Sequence, residues 1–228
     1  MATLKDYEYV QGTVYAILVV AFLATLIKVL NNSKFVFMIK ITSLLMVSNA
    51  AGVMVVIADG NITKSDFSVI WVWIQAIFDC LSTSTINIAY WLFAFQYYKI
   101  SRYTPYLLKS DSPPVEMINF DNKNNVVFMV LNVCFSFFVA GTLLIYNLCI
   151  YNENNQKCTA WIISSTVGLF LVGLMQLISG VYFAWAVFKI RKHLIDHGGK
   201  LNINVTMLLT NSAAFALYIL STLVYYVF

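Results

Sequence analysis

Six long apolar runs divide the sequence, at 9–30, 35–58, 67–98, 125–150, 159–188 and 203–228. Apart from Lys28 and Lys40 near run edges, and Asp79, every charged residue lies outside them. Each run is long enough to carry a helix across a hydrocarbon layer about 30 Å thick, which takes about 20 residues. A bilayer interior offers no water to the backbone, so only helices and closed barrels can span it. These runs are continuous and do not alternate like barrel strands, which selects helices. Composition agrees. Residues are 61% hydrophobic and 11% charged, whereas a soluble domain carries about 25% charge. One globular core cannot absorb that excess.

The expected fold is therefore all-α: a polytopic membrane helix bundle of six transmembrane helices, forming a single transmembrane helical domain over residues 1–228. The sixth run reaches Phe228 without a tail, which also fits a seven-span protein that has lost its last helix. The start, MATLKDYEYVQ, is acidic on balance and no small-residue cleavage site follows the first run, so that run is expected to remain in the protein.

Lysine and arginine set the expected orientation. Eleven of the 14 lie in or beside loops 1, 3 and 5, and the other three are Lys5, Lys64 and Lys157. Basic loops stay in the cytoplasm. This places loops 1, 3 and 5 in the cytoplasm and the N-terminus outside, in a plasma membrane or endomembrane. Trp91, Tyr97, Tyr98 and Trp185 then fall near the inner interface, where amphipathic rings are favoured. The basic residues are scattered over three membrane-edge loops, which does not fit a nucleic-acid partner. The expected partners are the lipid bilayer and a protein partner or a second copy of the chain.

The third run contains DCLSTSTIN, residues 79–87, a carboxylate and a hydroxyl cluster inside an apolar segment. Steps of four share a helix face, and from Asp79 they give Gln75, Asp79, Thr83 and Asn87, with Ser82 beside them. A charged residue at the bilayer centre costs about 2.5–3.5 kcal/mol on insertion scales. No lysine or arginine shares its depth. The neutral candidates to meet it are Asn49 and Gln176, closest in depth, with Asn132 and Asn211. Two uses of this face compete. It binds helices together by hydrogen bonds, or it lines a polar pathway for an ion or small solute. Small residues four apart mark candidate close approaches: Ser48 with Gly52, Gly180 with Ala184, and Ser212 with Ala216.

Cys149 and Cys158 flank the second outer loop and are candidates for a disulfide on an oxidising side. Cys80 and Cys134 lie inside runs, as small packing residues. The chain has no HExxH, GxSxG, phosphate loop or paired carboxylates. An enzyme is not expected, nor is any cofactor or metal.

Ser101-Arg102-Tyr103, at the inner end of the third run, resembles the Asp/Glu-Arg-Tyr motif of G protein-coupled receptors, and Cys158 is similar to their second-outer-loop cysteine. The resemblance implies a receptor with an outer N-terminus and basic inner loops. Ser101 replaces the acid, Cys80 is too deep to be the outer cysteine, no apolar run contains proline, and Asn-Pro-x-x-Tyr is absent. The likeness is one of span order, and no family is assigned on it. The leading expectation is a multi-pass membrane protein without catalytic motifs, receptor-like or a subunit of a membrane complex. The alternative is a channel or transporter using the Asp79 face.

Overall fold

The computed structural model describes residues 4–30, 36–62, 69–109, 111–151 and 155–196. They form five helices: α1 (Leu4–Leu30), α2 (Val36–Ile62), α3 (Val69–Leu108), α4 (Val115–Tyr151) and α5 (Asn155–Asp196). Each contains a segment long and apolar enough to cross a membrane, and no strand occurs among the described residues. The expected sixth span, 203–228, lies outside the described residues.

The distribution of polarity is that of a membrane-embedded protein. Among the described residues, 14 buried residues are polar or charged and 16 are apolar, while 38 large apolar side chains are exposed. In water such a surface would far exceed the few hundred Å² of contiguous apolar patch that soluble proteins tolerate. None of the described side chains of α1 is buried, although the helix packs on α2 through Gly12 and Tyr15. On α3 the exposed stripe is Ile70, Trp73, Ile77 and Leu81. At 100° per residue it lies opposite Asp79.

Hydroxyls inside the helices are mostly satisfied at home. Thr25, Thr85, Ser136, Thr142 and Ser179 each donate to the carbonyl four residues earlier. A helix offers that acceptor wherever Ser or Thr falls, which is why an apolar segment carries hydroxyls without needing a second helix for each.

The helices run further than the apolar pattern predicts. α3 continues ten residues past 98, and α4 begins ten residues before 125. The loop expected over 99–124 shrinks, since α3 ends at Leu108 and α4 starts at Val115. At 40 residues, α3 is about 60 Å long, twice the hydrocarbon thickness. Pro105, expected in a loop, sits inside its last turns. The helix closes where the Tyr106 carbonyl accepts from the Lys109 and Asp111 amides, at 3.0 and 2.9 Å. α4 starts on Pro114, whose carbonyl accepts from Met117 at 3.0 Å and Ile118 at 3.2 Å. Proline is favoured at a helix start because it lacks only an amide hydrogen that would have no intrahelical partner. Glu116 in the first turn complements the positive end of the helix dipole.

The described residues group into two compact units. One comprises those of Met1–Ala89 and Asn132–Leu169, the other those of Tyr90–Leu131 and Phe170–Phe228. α3, α4 and α5 contribute to both. In the first unit glycines admit neighbouring helices. A Cβ on Gly52 would come within 3.0 Å of the Tyr15 ring, and one on Gly168 within 2.7 Å of Val139 and 2.9 Å of Phe138. The second unit is built on aromatic rings around Ala94 and Phe183, with Tyr90, Phe93, Tyr97 and Val187 packed against them.

Candidate functional site

In the first unit, the polar face of α3 meets α2. Gln75 Nε2 donates to the carboxylate of Asp59. Ser48 and Ser82 bond reciprocally: the Ser48 hydroxyl donates to the Ser82 carbonyl at 2.9 Å, and the Ser82 hydroxyl donates to the Ser48 carbonyl at 3.0 Å. Such paired side-chain-to-backbone bonds require close backbones, which the small Ser48 permits. Ser84 and Cys80 lie 3.9 Å apart within α3.

The remaining members of the face differ from one another. Among the described residues, none hydrogen-bonds to Asp79 or to Thr83, and both are partly exposed. Asn87 is buried. Asn49, a candidate to meet Asp79, instead donates from Nδ2 to the Leu45 carbonyl of its own helix at 2.7 Å. Gln176 is buried but belongs to the second unit. Asp59, the residue that does engage the face, is not legible as a partner because it lies one residue beyond the apolar run of 35–58.

Cys149 is disulfide-bonded, while the side chain of Cys158 lies outside the described residues. Cys80 and Cys134 are free thiols, the first buried and the second exposed. Among the described residues no three of His, Cys, Asp and Glu come together as metal ligands would.

The second unit holds a polar centre that sequence reasoning missed. Asp121 of α4 is fully buried. Arg102 of α3 reaches it with Nη1 at 2.6 Å, and the Tyr103 hydroxyl donates to its other oxygen at 3.0 Å. Arg102 Nη1 also donates to the Tyr98 hydroxyl at 2.8 Å. One buried carboxylate thus ties together two of the three residues of the Ser-Arg-Tyr stretch. Ser101 is buried too, and donates to the Tyr98 carbonyl at 2.7 Å. Asp121 falls in the sequence's Asn- and Asp-rich stretch NFDNKNN, which reads as a loop until its helix is seen.

Trp91 completes the junction of α3 with α4. It is buried within the protein, its ring stacked on Phe128 at 3.7 Å between centroids. A buried indole is tolerated when its N–H is satisfied, and here it donates to Asn125 Oδ1 at 2.8 Å. Lys99 donates to Asn122 Oδ1 at 3.2 Å. Four contacts at 91, 99, 102 and 103 therefore zip α3 to the start of α4.

On the side toward α5, Tyr98 packs against Tyr182 and Trp185, with centroids 5.1 and 5.6 Å apart. Tyr98, Val181, Tyr182 and Trp185 line an open cleft of about 280 Å³. Two cations edge it. Lys189 Nζ lies 4.4 Å from the Trp185 ring centroid, and the Arg102 guanidinium lies 5.5 Å from that of Tyr98.

Compared with known proteins, the chain matches no family model, no curated protein and no solved structure. The reading of function rests on the residues themselves.

Proposed function

We propose that the chain is a six-span membrane protein that acts without catalysis, by holding a ligand or a protein partner, as a receptor-like protein or a subunit of a membrane complex. The distribution of lysine and arginine supports an outer N-terminus with loops 1, 3 and 5 in the cytoplasm. The observation that carries the non-transport reading is the closure of the α3 polar face on α2. Gln75 and Ser82, which a pathway would turn toward water, are bonded to Asp59 and Ser48. Polar groups used this way act as adhesive between helices.

A second reading, a channel or transporter along the Asp79 face, draws on Asp79 and Thr83. Those two side chains receive no hydrogen bond from any described residue, and an intramembrane acid is by default a functional candidate. Reconstitution in liposomes separates the two. Wild-type vesicles should show proton and monovalent-cation fluxes no greater than protein-free vesicles, and Asp79→Asn at equal incorporation should change nothing. A flux that the wild type supports and Asp79→Asn abolishes overturns the non-transport reading.

A further inference from the structure

We propose that the cleft lined by Tyr98, Val181, Tyr182 and Trp185 is a binding site for an anionic phospholipid, with Lys189 and Arg102 holding its headgroup. The site rests on the chain being membrane-embedded, and is independent of whether the Asp79 face packs or conducts.

The argument begins with the walls. Val181, Tyr182 and Trp185 are 60%, 38% and 42% exposed, on a helix apolar enough to cross a bilayer. An open apolar cleft on such a surface faces acyl chains. Its volume of about 280 Å³ accommodates part of one chain and not a whole lipid, so the headgroup must lie at the rim. The rim is cationic. Lys189 is one turn beyond Trp185 and sits over its ring. Arg102 is joined to the opposite wall through the Tyr98 hydroxyl.

The charges at this rim are not balanced. Asp121, the carboxylate in contact with it, is fully buried and already shared between Arg102 and Tyr103. No ion pair engages Lys189 among the described residues. Further along α5, Arg191 and Lys192 are exposed, with one exposed acid, Asp196, beyond them. A surplus of cations above an aromatic cleft complements a phosphate above acyl chains. Rings at the interface and a basic pocket between helices are the elements by which membrane proteins select anionic headgroups. Arg102 offers planar N–H donors suited to phosphate, and its side chain keeps 25% exposure beside Asp121. A zwitterionic headgroup also carries a phosphate, but its quaternary or primary amine would stand among these cations, so selectivity follows from charge.

The test is native mass spectrometry of the full-length protein released from detergent micelles, titrated with phosphatidylglycerol or phosphatidylcholine of identical chains. The wild type should retain phosphatidylglycerol at concentrations where phosphatidylcholine adducts are scarce. Lys189→Ala should weaken phosphatidylglycerol retention by about five-fold, the weight of one basic side chain near an anionic surface. Lys28→Ala, a cation on α1, should leave it unchanged. Trp185→Leu keeps Lys189 and alters the wall, and should weaken both lipids together. Because neither Lys189 nor Trp185 belongs to the Asp121 centre, their variants are expected to fold. Equal retention of the two lipids, or equal loss in Lys189→Ala and Lys28→Ala, overturns the proposal. Release of the protein from membranes by alkaline carbonate would remove the membrane reading, and this site with it, and is scored separately from lipid preference.

Discussion

Removing the Asp121 carboxylate is the sharpest perturbation of the second unit. Asp121 is fully buried and accepts from Arg102 at 2.6 Å and from Tyr103 at 3.0 Å. A hydrogen bond to a charged group contributes about 1.5–3 kcal/mol, so the two together bound the loss in Asp121→Ala at about 3–6 kcal/mol. Breaking a buried pair by deleting one partner costs about 3–5 kcal/mol when the survivor stays buried. Arg102 keeps 25% exposure and can turn toward water, which places the expected loss near the lower end, about 3 kcal/mol. For a chain of this size each kcal/mol moves the melting midpoint by about 2–4 °C, so Asp121→Ala should melt about 6–12 °C below wild type. Tyr103→Phe removes one hydrogen bond to that carboxylate and should cost about 1.5–3 kcal/mol. Thermal unfolding of the purified protein in one detergent, followed by intrinsic fluorescence, measures both. A double-mutant cycle with Arg102→Ala checks the coupling, because the pair in contact should be less than additive. An Asp121→Ala midpoint within about 2 °C of wild type would refute the reasoning, since it would mean that the buried carboxylate contributes no more than a surface ion pair.

Two further substitutions probe the first unit. Gly168→Ala places a Cβ 2.7 Å from Val139 and 2.9 Å from Phe138, an overpacking expected to cost about 1–3 kcal/mol; Gly60→Ala, with nothing within 4 Å, is its control, and equal midpoints for the two variants would contradict the close approach. Ser82→Ala removes one of the reciprocal bonds with Ser48, and at about 0.6 kcal/mol per interhelical bond should lower the midpoint by no more than about 3 °C; a larger fall in expression or stability would mean that Ser82 does more than join two helices.

The five described helices were legible in the sequence because lipid imposes a length and a polarity that composition cannot disguise. Their ends were not. Residues 99–108 and 115–124 are polar enough to read as loop, yet they are helical. The reason is tertiary: Arg102, Tyr103, Lys99 and Trp91 of α3 each hold a polar group of α4, at Asp121, Asn122 and Asn125. No periodicity announces a contact whose two sides are separated by a turn of unknown length. The inward direction of Gln75 was legible from its spacing with Asp79, but its partner was not, because Asp59 sits at a helix end that apolar patterning cuts short. Asn49 illustrates the opposite error. Its depth matched Asp79, but a backbone carbonyl one turn away competes with any distant carboxylate. The small residues Ser48 and Gly52 were readable as a close approach, though they serve different neighbours, Ser82 on one side and Tyr15 on the other.

The central claim is that the polar face of α3 packs against neighbouring helices and does not line an aqueous path. Cysteine accessibility tests it most directly. Gln75, Asp79, Thr83 and Asn87 are replaced by cysteine one at a time in a Cys80→Ala, Cys134→Ala background, and a membrane-impermeant thiosulfonate is applied to each side of sealed vesicles. The account predicts that none of the four reacts faster than a lipid-facing control at Ile77, which is 59% exposed. Rapid labelling at successive positions from Gln75 to Asn87 would contradict it, because a water-filled passage would then run along the face.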